Sequence, residues 1–435
     1  MIRIHRSRSQ EQRHRLARVI AAASVAGALV AALGGPAVAA DPPSESSLDP
    51  QTRFSVPKPN HGAIVQIADL RSTGRFEDAS LVETMIETPQ ADWFTRGSPA
   101  AVERAVRSTV SRAAGKGTVP VLVAYNIPFR DCAQFSAGGA TTPAEYLAWI
   151  DGFARGIGDR AAIVILEPDG LGIIPWYRQF RGTAAESPAY EWCQPAEAEE
   201  ATAADDRFAM LSSAVDTLKA RPNVHVYLDG THSAWLGSGD AAHRLIQAGV
   251  ERADGFFVNV SNYRLTEHLV KYGGWVSDCL HLAQNSWWQV EWCASQYFPA
   301  NPNDFSTWGL TDAAYDQAFA DTGLTRDPAV QAHFVVDTSR NGRGPWTPPA
   351  YPDPQDWCNP PDRGLGLRPT ADTGNALIDA YLWIKIPGES DGECTRGLGP
   401  AGSTVDPEWG RVDPAAGAWF PEMAIELARN AEPGL

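Results

Sequence analysis

The stretch that most constrains the fold is AAIVILEPDGLG, at residues 161–172. Its opening run, 161–166, carries no charge and shows no polar face, which predicts a strand buried on both sides, as in a parallel sheet covered by helices. Pro168 cannot continue a sheet ladder, so Asp169 follows the end of that strand. A carboxyl group held against an apolar strand end is a candidate for a raised pKa, and hence for donating a proton near neutral pH.

Several other apolar runs also end in polar residues. The segments are NIPFRDC, VHVYLDG, GFFVNVSN, HFVVDTSRNG and AYLWIKIPGESDG, and helical patterns lie between most of them. Alternating strands and helices predict a parallel sheet with right-handed crossovers. Because the polar residues come from so many strand ends, a barrel mouth would gather them in one place. We therefore predict an α/β fold, a TIM-like barrel with its active site at the carboxyl ends of the strands.

The first 40 residues have the pattern of a secretory signal peptide. Six arginines precede an apolar stretch at 19–33, which is followed by the small residues AVA at 37–39. The pattern predicts a secreted, extracellular protein with no membrane-spanning segment. Residues 41–60 are linker-like, and 61–435 fit one large domain. The formal net charge of −16 becomes more negative once residues 1–40 are removed, which opposes binding to nucleic acid or membranes and is compatible with a neutral polysaccharide.

The chain has six cysteines, an even count that predicts three disulfides in an exported protein. There is no C-x-x-C pair, and the nine histidines form no H-E-x-x-H motif, so we expect no metal. Spacing alone leaves fifteen connectivities open, although the closeness of Cys279 and Cys293 in the sequence suggests a local bridge between them. The cysteines are Cys132, Cys193, Cys279, Cys293, Cys358 and Cys394.

Three aspartates and the tryptophans supply the chemistry expected at the mouth. Cleavage of an acetal needs one acid to protonate the leaving oxygen and a second group acting from the opposite face. Asp131, Asp169 and Asp391 follow different strands and could fill these roles. The chain also has 15 tryptophans, whose indole rings can stack on the flat faces of sugars. Three of them lie in loops after strand ends: Trp93, Trp235 and Trp357.

Six segments resemble the signature stretches of glycoside hydrolase family 6, the cellulases that cut β-1,4-glucan. They are NIPFRDC, VILEPDGLG, YLDGTHSAW, VDTSRNG, DWCNPP and WIKIPGESDG, and the match runs from about Trp93 to the C-terminus. The resemblance implies a distorted TIM-like barrel with about seven parallel strands and an inverting mechanism. Because the chain shows no long Pro/Thr/Ser-rich tether, we expect no attached carbohydrate-binding module. The resemblance also implies that Asp169 is the general acid, that Asp131 raises the pKa of the donor and organises water, and that Asp391 is the proposed base.

The same resemblance implies further site residues. Tyr125 matches an aromatic residue that crowds the scissile sugar, and Arg130 and Arg340 match cations near the acids. Disulfides are implied between Cys132 and Cys193 and between Cys358 and Cys394. A monomer without a cofactor is expected. The implied glucose-binding residues are Trp93, His232, Trp235, Asn262, Trp357, Lys385 and Glu389.

Endo- and exo-action both remain open from the sequence, although we expect an endoglucanase. The short segment between Cys358 and Cys394 resembles open-cleft endoglucanases, whereas insertions at 175–200 and 275–325 favour a roofed, cellobiohydrolase-like cleft. The inserted tryptophans of 275–325 either extend the cleft wall or, as we expect, form a small core of their own.

Two other classes of protein share some of these features with a cellulase. A non-catalytic sugar-binding barrel would use the tryptophans but would not need three acids on separate strand ends. A serine hydrolase is suggested by G-x-S-x-G at 388–392, but this motif requires a following helix and a later histidine. The last histidine is His333, which precedes Ser390. A serine hydrolase is therefore disfavoured.

Overall fold

The computed structural model describes residues 48–180, 189–398 and 404–435. The expected signal peptide at 1–40 and residues 41–47 of the expected linker-like segment lie outside these ranges. The rest of that segment packs on the domain, because Leu48 and Phe54 are buried and Phe54 bridges Val119 in parallel. None of the described helices is both long enough and apolar enough to cross a membrane.

One parallel sheet of seven strands, arranged in chain order, forms the centre of the molecule. Ala91 donates its N–H to the carbonyl oxygen of Trp383 at 3.0 Å, so the chain before the first strand meets the chain after the last one. The sheet therefore curls into an incomplete barrel, and the predicted fold class is confirmed. The strands are β1 (Asp92–Phe94), β2 (Val121–Ala124), β3 (Ala162–Leu166), β4 (Val224–Asp229), β5 (Gly255–Val258), β6 (His333–Asp337) and β7 (Ile378–Leu382).

Helices cover the outside of the sheet. Two of them begin at side-chain caps, since Ser98 Oγ accepts the N–H of Ala101 and Thr142 Oγ1 accepts the N–H of Glu145. A small antiparallel hairpin, β8 (Val405–Asp406) and β9 (Arg411–Val412), precedes the last helix. The helices are α1 (His61–Ser72), α2 (Phe76–Glu87), α3 (Pro99–Ala114), α4 (Pro143–Ile157), α5 (Ala203–Lys219), α6 (Ser238–Gln247), α7 (Thr266–Asn285), α8 (Gly309–Thr322) and α9 (Pro421–Arg429).

The strands separate two apolar cores. In β3, Val164 and Leu166 belong to the outer core beneath the helices, whereas Ile163 and Ile165 belong to the core inside the barrel. This two-sided burial explains why residues 161–166 carry no polar face, since successive side chains of a strand point to opposite sides of the sheet. A third core joins α1, α2 and α9.

All seven strands run parallel, so their carboxyl ends lie at one edge of the sheet. The loops that follow them carry the polar residues singled out in the sequence. Two disulfides tie these loops together, Cys132–Cys193 and Cys358–Cys394, and a third bridge, Cys279–Cys293, closes a local loop. The three expected disulfides are confirmed.

Candidate active site

A cleft of about 420 Å³ opens at the carboxyl ends of the strands. It gathers residues from the loops after β2, β3, β4, β5 and β7 and from the chain before Cys358. Because these residues are far apart in sequence, the barrel itself brings them together. Ten of the site residues predicted from the sequence line the cleft: Trp93, Tyr125, Asp131, Asp169, His232, Trp235, Asn262, Trp357, Lys385 and Asp391.

The turn after β3 fixes Asp169 in the cleft wall. The buried Glu167 carboxylate accepts the N–H of Asn126 at 2.9 Å and of Ile127 at 3.0 Å, which attaches this turn to the loop after β2. Asp169 has a left-handed backbone, with φ of 61°, and its side chain is half-buried. Burial raises the pKa of Asp169 well above its usual range, and the neighbouring carboxylates of Asp229 and Asp131 raise it further. Asp169 can therefore carry a proton near neutral pH.

Asp391 has the opposite electrostatic environment. Arg340 Nη1 donates to its Oδ2 at 2.8 Å, and Lys385 Nζ lies 3.2 Å from Oδ1. Burial alone would raise the pKa of Asp391, but the two cations and the N–H of Asn359, 3.1 Å from Oδ2, outweigh burial and lower that pKa. Asp391 therefore stays ionised under conditions in which Asp169 is protonated.

Asp131 is the third acid of the cleft. Its Oδ2 accepts the N–H of Ser136 at 2.7 Å, and its backbone is also left-handed, with φ of 57°. Burial raises the pKa of Asp131 to about 6, despite the bond from Ser136 and the charge of Arg130. The next residue, Cys132, is bonded to Cys193, so this acid lies on a covalently tethered loop.

Aromatic side chains form much of the remaining wall. Trp93 and Tyr125 pack edge to face, with ring centroids 5.4 Å apart. The ring centroids of His232 and Trp235 lie 5.7 Å apart. Burial lowers the pKa of His232 to about 3, so its imidazole is neutral and can hydrogen-bond without adding charge. A wall of flat rings and neutral polar groups suits an uncharged sugar chain.

The sequence model of "Glycosyl hydrolases family 6" matches residues 50–431. The chain belongs to this family. Endoglucanase A of Thermobispora bispora is 32% identical over 426 residues, covering 96% of this chain and 69% of that protein. Endoglucanase 1 of Streptomyces halstedii is 34% identical over 395 residues, covering 90% of this chain and 94% of that protein.

Solved family 6 structures share the fold. The endoglucanase Cel6 from Mycobacterium tuberculosis, solved with methyl-cellobiosyl-4-deoxy-4-thio-β-D-cellobioside, is 32% identical, with a TM-score of 0.61 and coverage of 89% of this chain and 99% of that one. Proteins named probable cellobiohydrolase match as well, at 29% identity. The chain is therefore a glycoside hydrolase of a cellulase family that includes both endoglucanases and cellobiohydrolases.

Three predicted site residues of this family 6 enzyme lie outside the cleft lining, as far as the structure describes the chain. Arg340 is fully buried beneath Asp391, so it acts on that carboxylate and does not contact a sugar. Arg130 donates to the carbonyl oxygens of Tyr125 at 2.6 Å and Ser136 at 2.7 Å and lies over the Tyr125 ring. Glu389 accepts the side-chain N–H of Asn60 at 2.8 Å, which ties it to the start of α1.

Sequence reasoning missed several residues that build the family 6 site. Trp192 lines the cleft next to Cys193, and the bridge of Cys193 to Cys132 was the signal that could have revealed it. Asp229 ends β4 as the other acids end their strands; it accepts the N–H groups of Leu171 and Gly172, each at 3.2 Å, behind Asp169. Burial raises the pKa of Asp229 to about 6.

Two other chemistries fit this family 6 structure poorly. Ser390, of the G-x-S-x-G segment, is fully buried and donates to the carbonyl oxygen of Pro414 at 2.7 Å, so it cannot act as a nucleophile in the cleft. Among the described residues, one group of side chains is close enough to hold a metal ion: Cys394, Asp406 and Asp413. However, Cys394 is bonded to Cys358 and Asp406 is paired with Arg396 at 2.8 Å, so both are already engaged.

Proposed function

We propose that this chain is a secreted, monomeric cellulase that hydrolyses internal β-1,4-glucosidic bonds with inversion of the anomeric carbon. The observation that carries the proposal is the contrast between two carboxyl groups in one cleft. The pKa of Asp169 is raised and the pKa of Asp391 is lowered. Two acids with pKa values moved apart are what general acid and base catalysis at a glycosidic bond requires.

In the proposed mechanism the proton begins on Asp169. A glucan chain lies along the cleft with its rings against the tryptophans, and Asp169 donates its proton to the leaving glycosidic oxygen. Asp131 adds negative charge near Asp169 and, with the N–H of Ser136 fixing its orientation, helps to order water. Asp391, kept ionised by Arg340 and Lys385, accepts a proton from the water that attacks the opposite face, directly or through a second water.

Export and domain organisation are part of the proposal. Residues 1–40 would be removed as a signal peptide, and the remaining chain would form one catalytic domain. The three disulfides support an oxidising destination, because such bonds persist mainly outside the cytosol.

Inversion predicts the configuration of the first product. With cellotetraose as substrate, proton NMR in the first minutes should show the α anomer accumulating ahead of mutarotation, because water attacks opposite the leaving group. A β product would instead indicate retention and a covalent intermediate. If no new reducing ends form while the protein still binds soluble β-glucan, the chain would be a non-catalytic sugar-binding barrel.

Endo-action predicts an early fall in viscosity. Relatives named endoglucanase, at 32% and 34% identity, support this mode of action. With carboxymethyl cellulose, viscosity should drop steeply while few reducing ends have formed, because one internal cut halves a long chain. The control is the number of reducing ends measured in the same samples. A slow fall with steady release of cellobiose would favour the alternative, a cellobiohydrolase.

A further inference from the structure

The insertion between α7 and α8 presents tryptophans that the protein core does not use. Trp275, within α7, and Trp308, just before α8, are buried, with exposed fractions of 3% and 1%, but they belong to the large outer core and do not form the separate small core expected from the sequence. Trp287 and Trp292 differ, since 58% and 53% of their surfaces are exposed, and the half-buried Trp288 lies between them. We call these three residues, Trp287, Trp288 and Trp292, the tryptophan platform.

The tryptophan platform is held rigidly before any ligand arrives. Its three ring centroids lie 5.6 to 5.9 Å apart, and the ring planes are inclined to one another by 51° to 89°, so the rings pack against each other as a cluster. The disulfide Cys279–Cys293 closes the loop that carries all three rings. The turn at Val290–Trp292 also packs against α6, where a Cβ added to Gly239 would lie 2.4 Å from the carbonyl oxygen of Val290. Binding would therefore cost little conformational entropy.

The segment after the tryptophan platform is joined to the wall of the catalytic cleft. The hydroxyl group of Tyr297 donates to the carbonyl oxygen of Trp235 at 3.0 Å. The buried side chain of Gln296 donates to the carbonyl oxygen of Leu236 at 2.9 Å. Since Trp235 lines the cleft, the insertion extends the protein outward from the same wall.

The chemistry of the segment indicates the kind of ligand. Residues 285–298 contain a single charged residue, Glu291, and no lysine or arginine. This excludes the basic surface that a nucleic acid or an anionic polymer needs. An exposed aromatic patch of this kind on a soluble protein marks an interaction site. Indole faces suit the apolar faces of stacked, uncharged sugar rings.

We propose that the tryptophan platform is a second glucan-binding surface, outside the catalytic cleft, that binds insoluble cellulose through its two exposed indole rings and holds the enzyme there. The proposal rests on the proposed cellulase function, because it takes the same polymer as ligand. It assigns a binding role to inserted residues that the ten predicted cleft-lining residues do not include.

Binding to microcrystalline cellulose tests the proposal directly. The measurement uses the Asp169→Asn protein, so that cellulose is not consumed, and compares it with the same protein carrying Trp287→Ala and Trp292→Ala. Loss of two exposed indoles should weaken binding and raise the apparent Kd by about tenfold. The matched control is Phe76→Ala, which removes another exposed aromatic side chain, 67% exposed, from the start of α2 and should bind as well as the parent. Equal binding by the platform variant and this control would overturn the proposal.

Further measurements separate a folding defect and a failed function from a failed inference. Trp287→Tyr with Trp292→Tyr keeps two flat rings and should restore most of the binding. In the active protein, the ratio of rates on microcrystalline cellulose and on cellotetraose should fall several-fold in the alanine variant. If the unaltered chain does not cleave cellotetraose, the proposed function fails by itself. If the alanine substitutions instead turn a dimer into a monomer in sedimentation, the platform covers a second copy and the cellulose assignment is wrong.

Discussion

Replacing Asp169 with asparagine is expected to lower kcat on cellotetraose by about a thousandfold, the range in which a positioned general acid contributes. Asparagine has nearly the same shape and tolerates the left-handed backbone at this position, so the cleft should keep its geometry. Only the transferable proton is removed. Initial rates from reducing-end release, at saturating substrate, measure the effect.

Two further observations identify the lost group as an acid. Activity of the unaltered enzyme should fall as pH rises through the raised pKa of Asp169, because the protonated form is the active one, and this alkaline decline should be absent in the variant. A substrate with an activated leaving group, such as a dinitrophenyl cellobioside, needs less help from an acid. The substitution should therefore slow cleavage of that substrate much less than it slows cleavage of cellotetraose. Asp372→Asn, at an exposed position in the turn before β7, is the matched control. Near-native cleavage of cellotetraose by Asp169→Asn would refute the assignment.

Replacing Arg396 with alanine is expected to lower the free energy of unfolding by about 3–5 kcal/mol, the usual cost of breaking a buried ion pair. Arg396 and Asp406 are both fully buried and lie 2.8 Å apart. The guanidinium also donates to the carbonyl oxygens of Gln355 at 2.6 Å and Asn359 at 3.2 Å. The variant would leave Asp406 as an unpaired charge close to Asp413. Urea or thermal unfolding, with the disulfides intact, measures the loss.

The loss should be specific to the buried pair. A surface ion pair in the same part of the chain should behave differently. Arg411→Ala is the matched control: Arg411 pairs with Glu422 at the surface, where an ion pair contributes little. If Arg396→Ala and Arg411→Ala had the same free energy of unfolding, the buried ion pair would contribute no more to stability than the surface pair.

The fold and the acids could be predicted because they depend on local sequence. A two-sided apolar run needs no knowledge of distant residues to predict β3, and polar groups after strands predict which edge of a parallel sheet carries the site. The family resemblance then supplied the roles of Asp131, Asp169 and Asp391. The ten predicted residues that line the cleft follow from this combination.

What could not be predicted depends on contacts between distant segments. Arg340 follows β6 and was expected near the acids, but its burial against Asp391, 51 residues later, could not be predicted. Trp192 reaches the cleft because of a bridge to a loop 61 residues away. The exposure of Trp287 and Trp292 was also missed, since an indole-rich sequence is the same whether the rings form a core or a surface.

The left-handed backbone at Asp131 and Asp169 has a consequence for which side chains these positions can accept. Aspartate and asparagine adopt that conformation more readily than most residues, so the bend and the carboxyl group favour the same amino acid. Glu167 adopts it as well, but its longer side chain is anchored by two main-chain N–H groups. If both aspartates act in catalysis as proposed, exchange of either one for a β-branched residue during evolution would be penalised twice, once in reactivity and once in the shape of the chain.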